Sequence, residues 1–319
     1  MPDQPTLLVA HTISPGRADG LLDRLEASLP EGALVRAETP AETFEHAPEA
    51  TGLITAGIPD GLLEEAPALE WIQTLSAGVD RYDHDAIAER GIALCNSAGV
   101  HAEPIAQQVL GYMLTFERDL HGYWRNQERG VWERSGGADE LTGKTFGVIG
   151  LGGIGTRSAE LATAVGMTAI GTKRDLSEVP EVVETCYGAD EYREVCLAAD
   201  YLLLSCPLTD ETEGLIGYDE LRLLGDEGVL INVARGDVVV EEELVRALQW
   251  GMIAGAALDV TSTEPLPGDS PLWDLSNVLL TPHMAGTSSR KDDRWFEIVA
   301  ANYEAIADSD RTRLRNRVV

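Results

Sequence analysis

The run Gly150-Leu151-Gly152-Gly153-Ile154-Gly155 opens near the middle of this 319-residue chain and constrains it more than any other stretch. It follows Lys144-Thr145-Phe146-Gly147-Val148-Ile149, which reads as a short buried strand. It precedes Thr156 to Val165, where Leu161, Ala162 and Val165 recur at helical spacing. A G-x-G-x-x-G between a strand and a helix is the fingerprint of a dinucleotide site. The first glycine permits the tight turn, the second lets backbone approach a pyrophosphate, and the third lets the helix pack on the strand. The helix start then offers free N–H groups and a positive dipole end to the phosphates.

Everything around this motif alternates strand and helix. Ahead of it, Leu7–Ala10, Leu34–Ala37, Gly52–Thr55, Trp71–Leu75 and Ile92–Cys95 are strand-like, with helical spacing over Gly20–Leu29. This βαβ rhythm predicts a parallel sheet covered by helices, with no phosphate-binding glycine loop of its own. A long helix is expected from Glu103 to His121, and a loop or arm from Arg125 to Asp139. Six further strands follow at Phe146–Ile149, Thr168–Thr172, Tyr201–Ser205, Val229–Val233, Ala256–Val260 and Val278–Leu280, with a helix at Glu241–Trp250. The last helix runs from beyond Thr287 to about Asp308. The expected fold is α/β, with two doubly wound parallel-sheet domains. A Rossmann dinucleotide-binding domain (99–287) is inserted in a discontinuous flavodoxin-like substrate domain (1–98), to which the C-terminal helix (288–319) returns.

Composition narrows the function classes. Lys and Arg total 24 against 54 Asp and Glu, a net charge of −30, and only Lys144, Lys173 and Lys291 are lysines. The acids are dispersed, so nucleic acid and anionic membranes are excluded as partners. An acidic shell poor in lysine resembles the proteins of salt-accumulating halophiles, and self-repulsion predicts a salt requirement. No segment reaches the roughly 18 consecutive apolar residues of a membrane span. Met1-Pro2-Asp3-Gln4-Pro5 lacks a basic and apolar signal, which predicts a cytoplasmic protein. Cys95, Cys186, Cys196 and Cys206 form no C-x-x-C and read as buried reduced thiols, with no metal site.

Ligands of open α/β sheets bind beyond the carboxyl ends of strands. Three ionisable residues stand there: Arg235 after Ile231–Ala234, Glu264 in Asp259–Pro265, and His283 after Leu279–Pro282. After the second strand of this domain come Lys173 and Arg174, with Lys173 18 residues beyond Gly155. NAD-specific enzymes usually carry an acid at that point. Asp175 comes two residues late. The basic pair predicts attraction of a 2′-phosphate, so NADP(H) is the preferred cofactor, with NAD(H) also possible.

These runs together carry a resemblance. Leu141-Thr142-Gly143-Lys144-Thr145, Cys206-Pro207-Leu208-Thr209, Asn232–Gly236, Ala257–Val260, Pro282–Gly286 and Ser76–Asp80 are similar to the motifs of the D-2-hydroxyacid dehydrogenases. That family includes D-lactate, D-glycerate and phosphoglycerate dehydrogenases and glyoxylate/hydroxypyruvate reductases. The resemblance implies hydride transfer between a nicotinamide and a 2-oxo acid/D-2-hydroxy acid pair. Arg235 would bind the carboxylate and polarise the carbonyl. His283 would be the acid/base, with Glu264 orienting it and favouring its charged form. Ala77 and Gly78 would bind the substrate carboxylate through their N–H groups. Besides Gly150, Gly152, Gly153, Ile154 and Gly155, it implies cofactor contacts from Cys206, Pro207, Thr212, Val233, Ala234, Asp259 and Gly286, with Asp259 on the carboxamide. It implies a homodimer too, with Trp132 and its arm reaching a partner subunit. His101 reads as structural. The specialisations left open are glyoxylate/hydroxypyruvate reduction and phosphoglycerate oxidation. Formate dehydrogenase lacks the acid that Glu264 supplies, and a nucleotide-sensing corepressor is the alternative outside enzymes.

Overall fold

A computed structural model describes residues 4–14, 16–79, 81–134 and 137–319. The chain divides into two compact units, Met1–His101 with Ser288–Val319, and Ala102–Thr287.

The first unit is built on five parallel strands, β1 (Leu7–Val9), β2 (Leu34–Arg36), β3 (Gly52–Thr55), β4 (Trp71–Thr74) and β5 (Ala93–Cys95), in the order β2-β1-β3-β4-β5. Register runs Leu7 to Leu34 and Gly52 on either side of β1, and Gly52 to Trp71. Every residue of β1, β3, β4 and β5 is buried, whereas edge strand β2 is half-covered. Continuous apolar runs are what a sheet covered on both faces requires. On one face, Leu21, Leu22 and Leu25 of helix Asp19–Ser28 share a core with Trp295, Val299 and Tyr303 of the C-terminal helix Lys291–Ala307. Arg24 pairs with Asp293 between these two helices. The final residues rejoin the sheet through an antiparallel bridge of Cys95 with Arg317.

The second unit has seven parallel strands, β6 (Thr145–Ile149), β7 (Thr168–Thr172), β8 (Thr185–Tyr187), β9 (Tyr201–Leu204), β10 (Val229–Asn232), β11 (Gly255–Leu258) and β12 (Val278–Leu280). Their order is β12-β11-β10-β9-β6-β7-β8. The winding reverses between β6 and β9, the switch point of a dinucleotide fold. Leu202, Leu204 and Leu230 face one core, and Val148, Leu203 and Ile231 the other. Every pairing between the named strands of the two sheets is parallel, as the doubly wound expectation requires.

Three details depart from the expected elements. β8 is a seventh strand that pairs Ile170 with Thr185 at the sheet edge, where exposure leaves no apolar run to read. The helix expected over Glu103–His121 is two, Ala102–Glu117 and Leu120–Glu128. Asp119 between them adopts φ +50°, which turns the chain without a glycine or proline to announce it. Consequently Arg125–Glu128, expected as loop, is helical. Of the arm beyond it, Ser135 and Gly136 lie outside the described residues, as do Asp80 of the Ser76–Asp80 run and the first three residues of the chain.

Candidate active site

The nucleotide cradle is made by backbone. Gly150 follows β6 with φ +100°, and a Cβ there would lie 2.7 Å from the Cys206 nitrogen. Only glycine meets both conditions. A Cβ on Gly155 would lie 2.4 Å from the Gly150 carbonyl oxygen, so helix Gly153–Ala164 can sit this close only without it. Over Gly152, by contrast, the space is open. The N–H groups of Gly153, Ile154 and Gly155 have no acceptor among the described residues, leaving the helix start free for an anion. These features fit a pyrophosphate.

Beside this turn lies a cavity of about 1100 Å³ lined by Gly150, Gly152, Lys173, Arg174, Cys206, Pro207 and Thr212 from the expected set. Tyr192, Asp190 and Glu211 line it as well, and sequence gave no signal for them. Burial pushes the Cys206 thiol up to about 11, so it lines the cavity as a neutral group. Lys173 donates to the Glu178 carbonyl at 2.6 Å, and Asp175 accepts from the Ser177 N–H at 2.9 Å. The Ser177 hydroxyl, then that N–H bond and, more weakly, Lys173 hold the Asp175 carboxyl below its usual range. Gly153, Ile154, Gly155, Val233, Ala234, Asp259 and Gly286 are not in this lining.

The ionisable residues sit one strand apart at the carboxyl ends of β10, β11 and β12. After β10, the Asn232 side chain shapes the turn, accepting from the Ala234 N–H at 3.0 Å and donating to the Arg235 carbonyl at 2.9 Å. Arg235 is half-buried and donates from Nη1 to the Ala234 carbonyl at 2.7 Å. Gly236 follows, and a Cβ there would lie 2.0 Å from the carbonyl carbon of Thr261. Backbone therefore packs on backbone between the Arg235 turn and the loop that carries Glu264.

His283 Nδ1 lies 2.7 Å from Glu264 Oε2, while Glu264 Oε1 accepts from the Thr261 N–H at 3.2 Å. A carboxylate on Nδ1 makes that nitrogen the N–H and turns Nε2 outward. Nε2 has no partner among the described residues, and the His283 side chain is 55% exposed. Asp259 is instead buried, and its carboxylate accepts from the Met284 and Ala285 N–H groups, next to His283 in sequence. Asp259, Glu264 and His283 line one cavity of about 560 Å³ with Trp273 and Pro282; Arg235 does not line it.

In the other unit, the Ser76–Val79 loop has its carbonyls tied. Asn96 donates to the Ala77 carbonyl at 2.8 Å and the Ser76 hydroxyl to that of Gly78 at 3.2 Å. The N–H groups of Ala77 and Gly78 have no acceptor among the described residues. His101 packs edge-on against Trp295 at 6.1 Å. All four cysteines are free. Among the described residues, no cluster of His, Cys, Asp and Glu is built to hold a metal ion.

A wholly parallel dinucleotide sheet with an imidazole–carboxylate pair at its strand ends describes a nicotinamide-dependent oxidoreductase. Residues 110–285 match the D-isomer specific 2-hydroxyacid dehydrogenase family, NAD binding domain. Glyoxylate/hydroxypyruvate reductase B of Enterobacter sp. (strain 638) is 34% identical over 295 residues, 89% of each chain. D-3-phosphoglycerate dehydrogenase of Methanocaldococcus jannaschii is 35% identical over 249 residues, 77% of this chain but only 47% of that one. Among solved structures, an NADPH-dependent glyoxylate/hydroxypyruvate reductase from Sinorhizobium meliloti, in complex with NADP and malonate, superposes with a TM-score of 0.76. It is 30% identical, covering 99% of this chain and 97% of that one. The chain belongs to the D-isomer specific 2-hydroxyacid dehydrogenases, which are NAD(P)-dependent oxidoreductases.

Proposed function

We propose that this protein reduces small 2-oxo acids to D-2-hydroxy acids with NADPH, and runs the reverse oxidation with NADP. The observation that carries this is the His283–Glu264 pair at 2.7 Å, with an Nε2 that has no partner among the described residues. In reduction the bound nicotinamide supplies the hydride to the carbonyl carbon. His283 gives the Nε2 proton to the carbonyl oxygen, so the product is a hydroxyl and His283 is left neutral. Glu264 holds the ring by Nδ1 and balances its charge while it is protonated. Arg235 takes the carboxylate next to the reacting carbonyl and polarises that carbonyl.

Preference for NADPH is supported by Lys173 and Arg174, which line the cavity after β7 where an NAD-specific site has its acid. The relative from Sinorhizobium meliloti is named NADPH-dependent. Gly150, Gly152 and the first turn of helix Gly153–Ala164 would hold the pyrophosphate, Cys206, Pro207, Thr212, Val233, Ala234 and Gly286 would flank the cofactor, and Asp259 would accept from the carboxamide. We place the protein in the cytoplasm, where four free thiols remain reduced; among the described residues no helix is long and apolar enough to cross a membrane. A second copy is the proposed partner. Helix Leu120–Glu128 buries none of its residues, and beyond it Trp132 is 99% exposed.

The test is a kinetic screen of glyoxylate, hydroxypyruvate, pyruvate and bulkier 2-oxo acids with NADPH and NADH in high salt. The expected result is turnover with kcat/KM about 10- to 100-fold higher for NADPH, the scale of one or two charge-assisted bonds to phosphate. Equal or better use of NADH overturns the cofactor reading. Tight NADPH binding without turnover of any substrate favours a nucleotide sensor instead.

A further inference from the structure

His283 has φ +51°, a left-handed backbone that a residue with a Cβ adopts at a cost. Three bonds to Asp259, with the Thr281 carbonyl as a second acceptor of the His283 N–H at 3.0 Å, hold it there. The Asp259 carbonyl accepts from the His283 N–H at 2.8 Å, Oδ1 from the Met284 N–H at 3.0 Å, and Oδ2 from the Ala285 N–H at 2.9 Å. Such a backbone persists only where its surroundings over-determine it. The two N–H groups that follow the ring-bearing residue are thus both fixed by one buried carboxylate, so its direction bears on that of the ring.

That carboxylate is steered in turn from helix Ala102–Glu117. Gln108 Nε2 donates to Thr281 Oγ1 at 3.0 Å and lies 3.4 Å from Asp259 Oδ1. The Tyr112 hydroxyl contacts both the Gln108 amide and the Thr281 hydroxyl, and the Thr281 hydroxyl contacts Asp259 Oδ1. Donor counting fixes the protons. A carboxylate only accepts, so Thr281 gives its single hydroxyl proton to Asp259. Thr281 must then accept from Tyr112, and the two Gln108 hydrogens serve the two hydroxyls. The hydroxyl protons therefore run one way, from Tyr112 to Thr281 and from Thr281 to Asp259. Tyr112 is buried, and burial pushes its phenol up, so it keeps the proton it donates. Among the described residues Asp259 Oδ2 accepts only from Ala285, which leaves it a lone pair for a carboxamide.

We propose that Gln108 and Tyr112 are positioning residues for the acid–base histidine, acting through Thr281 and Asp259 to fix the turn that aims His283 at Glu264. This rests on the reading of His283 as the proton donor.

The test uses the full chain and the variants Tyr112→Phe, Gln108→Met, Thr281→Val and Thr281→Ser. Two independent readouts are taken. One is kcat and KM for glyoxylate with NADPH, alongside the thermal midpoint. The other is the long-range proton–nitrogen NMR pattern of the His283 ring when neutral. It is assigned by its loss in His283→Ala, and only six histidines contribute. The expected parent pattern is a single Nδ1–H tautomer. Tyr112→Phe, Gln108→Met and Thr281→Val should mix the tautomers and lower kcat about 10- to 100-fold, the scale of a small misplacement of a reacting group. The glyoxylate KM and the thermal midpoint should change little, and Thr281→Ser should recover most of what Thr281→Val loses. An unchanged ring pattern with kcat within about twofold of the parent overturns the proposal, as does a kcat loss that merely follows lost folded protein. Should His283→Ala itself keep turnover, the catalytic reading fails, while the ring pattern still reports on positioning.

Discussion

Single positions carry unequal weight in this site, and Gly236 shows why. Its Cβ position is occupied by the Thr261 carbonyl group, and backbone cannot rotate away as a side chain can. Gly236→Ala should push the Arg235 turn off the Glu264 loop, costing about 1–3 kcal/mol of stability. Thermal unfolding and kcat measured together check this, and both should fall. Glu264→Gln tests a different property, since it keeps the shape and removes the charge. The charged imidazole loses its counter-ion, so kcat for reduction should fall about 10- to 100-fold and the pH optimum should move lower, read from a kcat profile. The types and order of Arg235, Glu264 and His283 were legible in sequence because strand ends are predictable. The contacts of Asp259 were not, because its partners Gln108 and Thr281 lie 151 and 22 residues away along the chain.

Among the elements, buried parallel strands announced themselves through continuous apolar runs. Edge strand β8 did not, since Thr185-Cys186-Tyr187 is only partly covered. The break at Asp119 was equally silent. Cohesion between helices also rests on groups that sequence does not pair. Glu220, in helix Tyr218–Leu224, accepts from the Gly217 N–H at 3.1 Å and from Arg193, in helix Tyr192–Ala198, at 2.9 Å. Burial pushes its carboxyl up, but these donors more than offset that and hold it below the usual range. A depressed carboxyl stabilises the fold fully above its unfolded value, about 4.3 for Glu, and ceases to as pH falls through its lower folded value. Glu220→Gln should therefore lower stability by about 1–3 kcal/mol at pH 7. The deficit should shrink below about pH 4, as denaturant unfolding at several pH values would show.

At the scale of the whole molecule, the charge predicts the conditions under which the fold is stable. A net −30 over 319 residues with three lysines repels itself in dilute buffer. At about 1 M salt the Debye length is near 3 Å, and the repulsion fades. The thermal midpoint and kcat should both rise steeply between about 0.1 and 2 M KCl; full stability and activity in low salt would remove the halophilic reading. The central claim, that His283 passes the proton, is tested most directly by kcat for 2-oxo acid reduction in His283→Ala, with NADPH affinity measured on the same sample in high salt. Loss of turnover by about 10²- to 10⁴-fold with NADPH binding retained is the expected result. Near-normal turnover in that variant would contradict it.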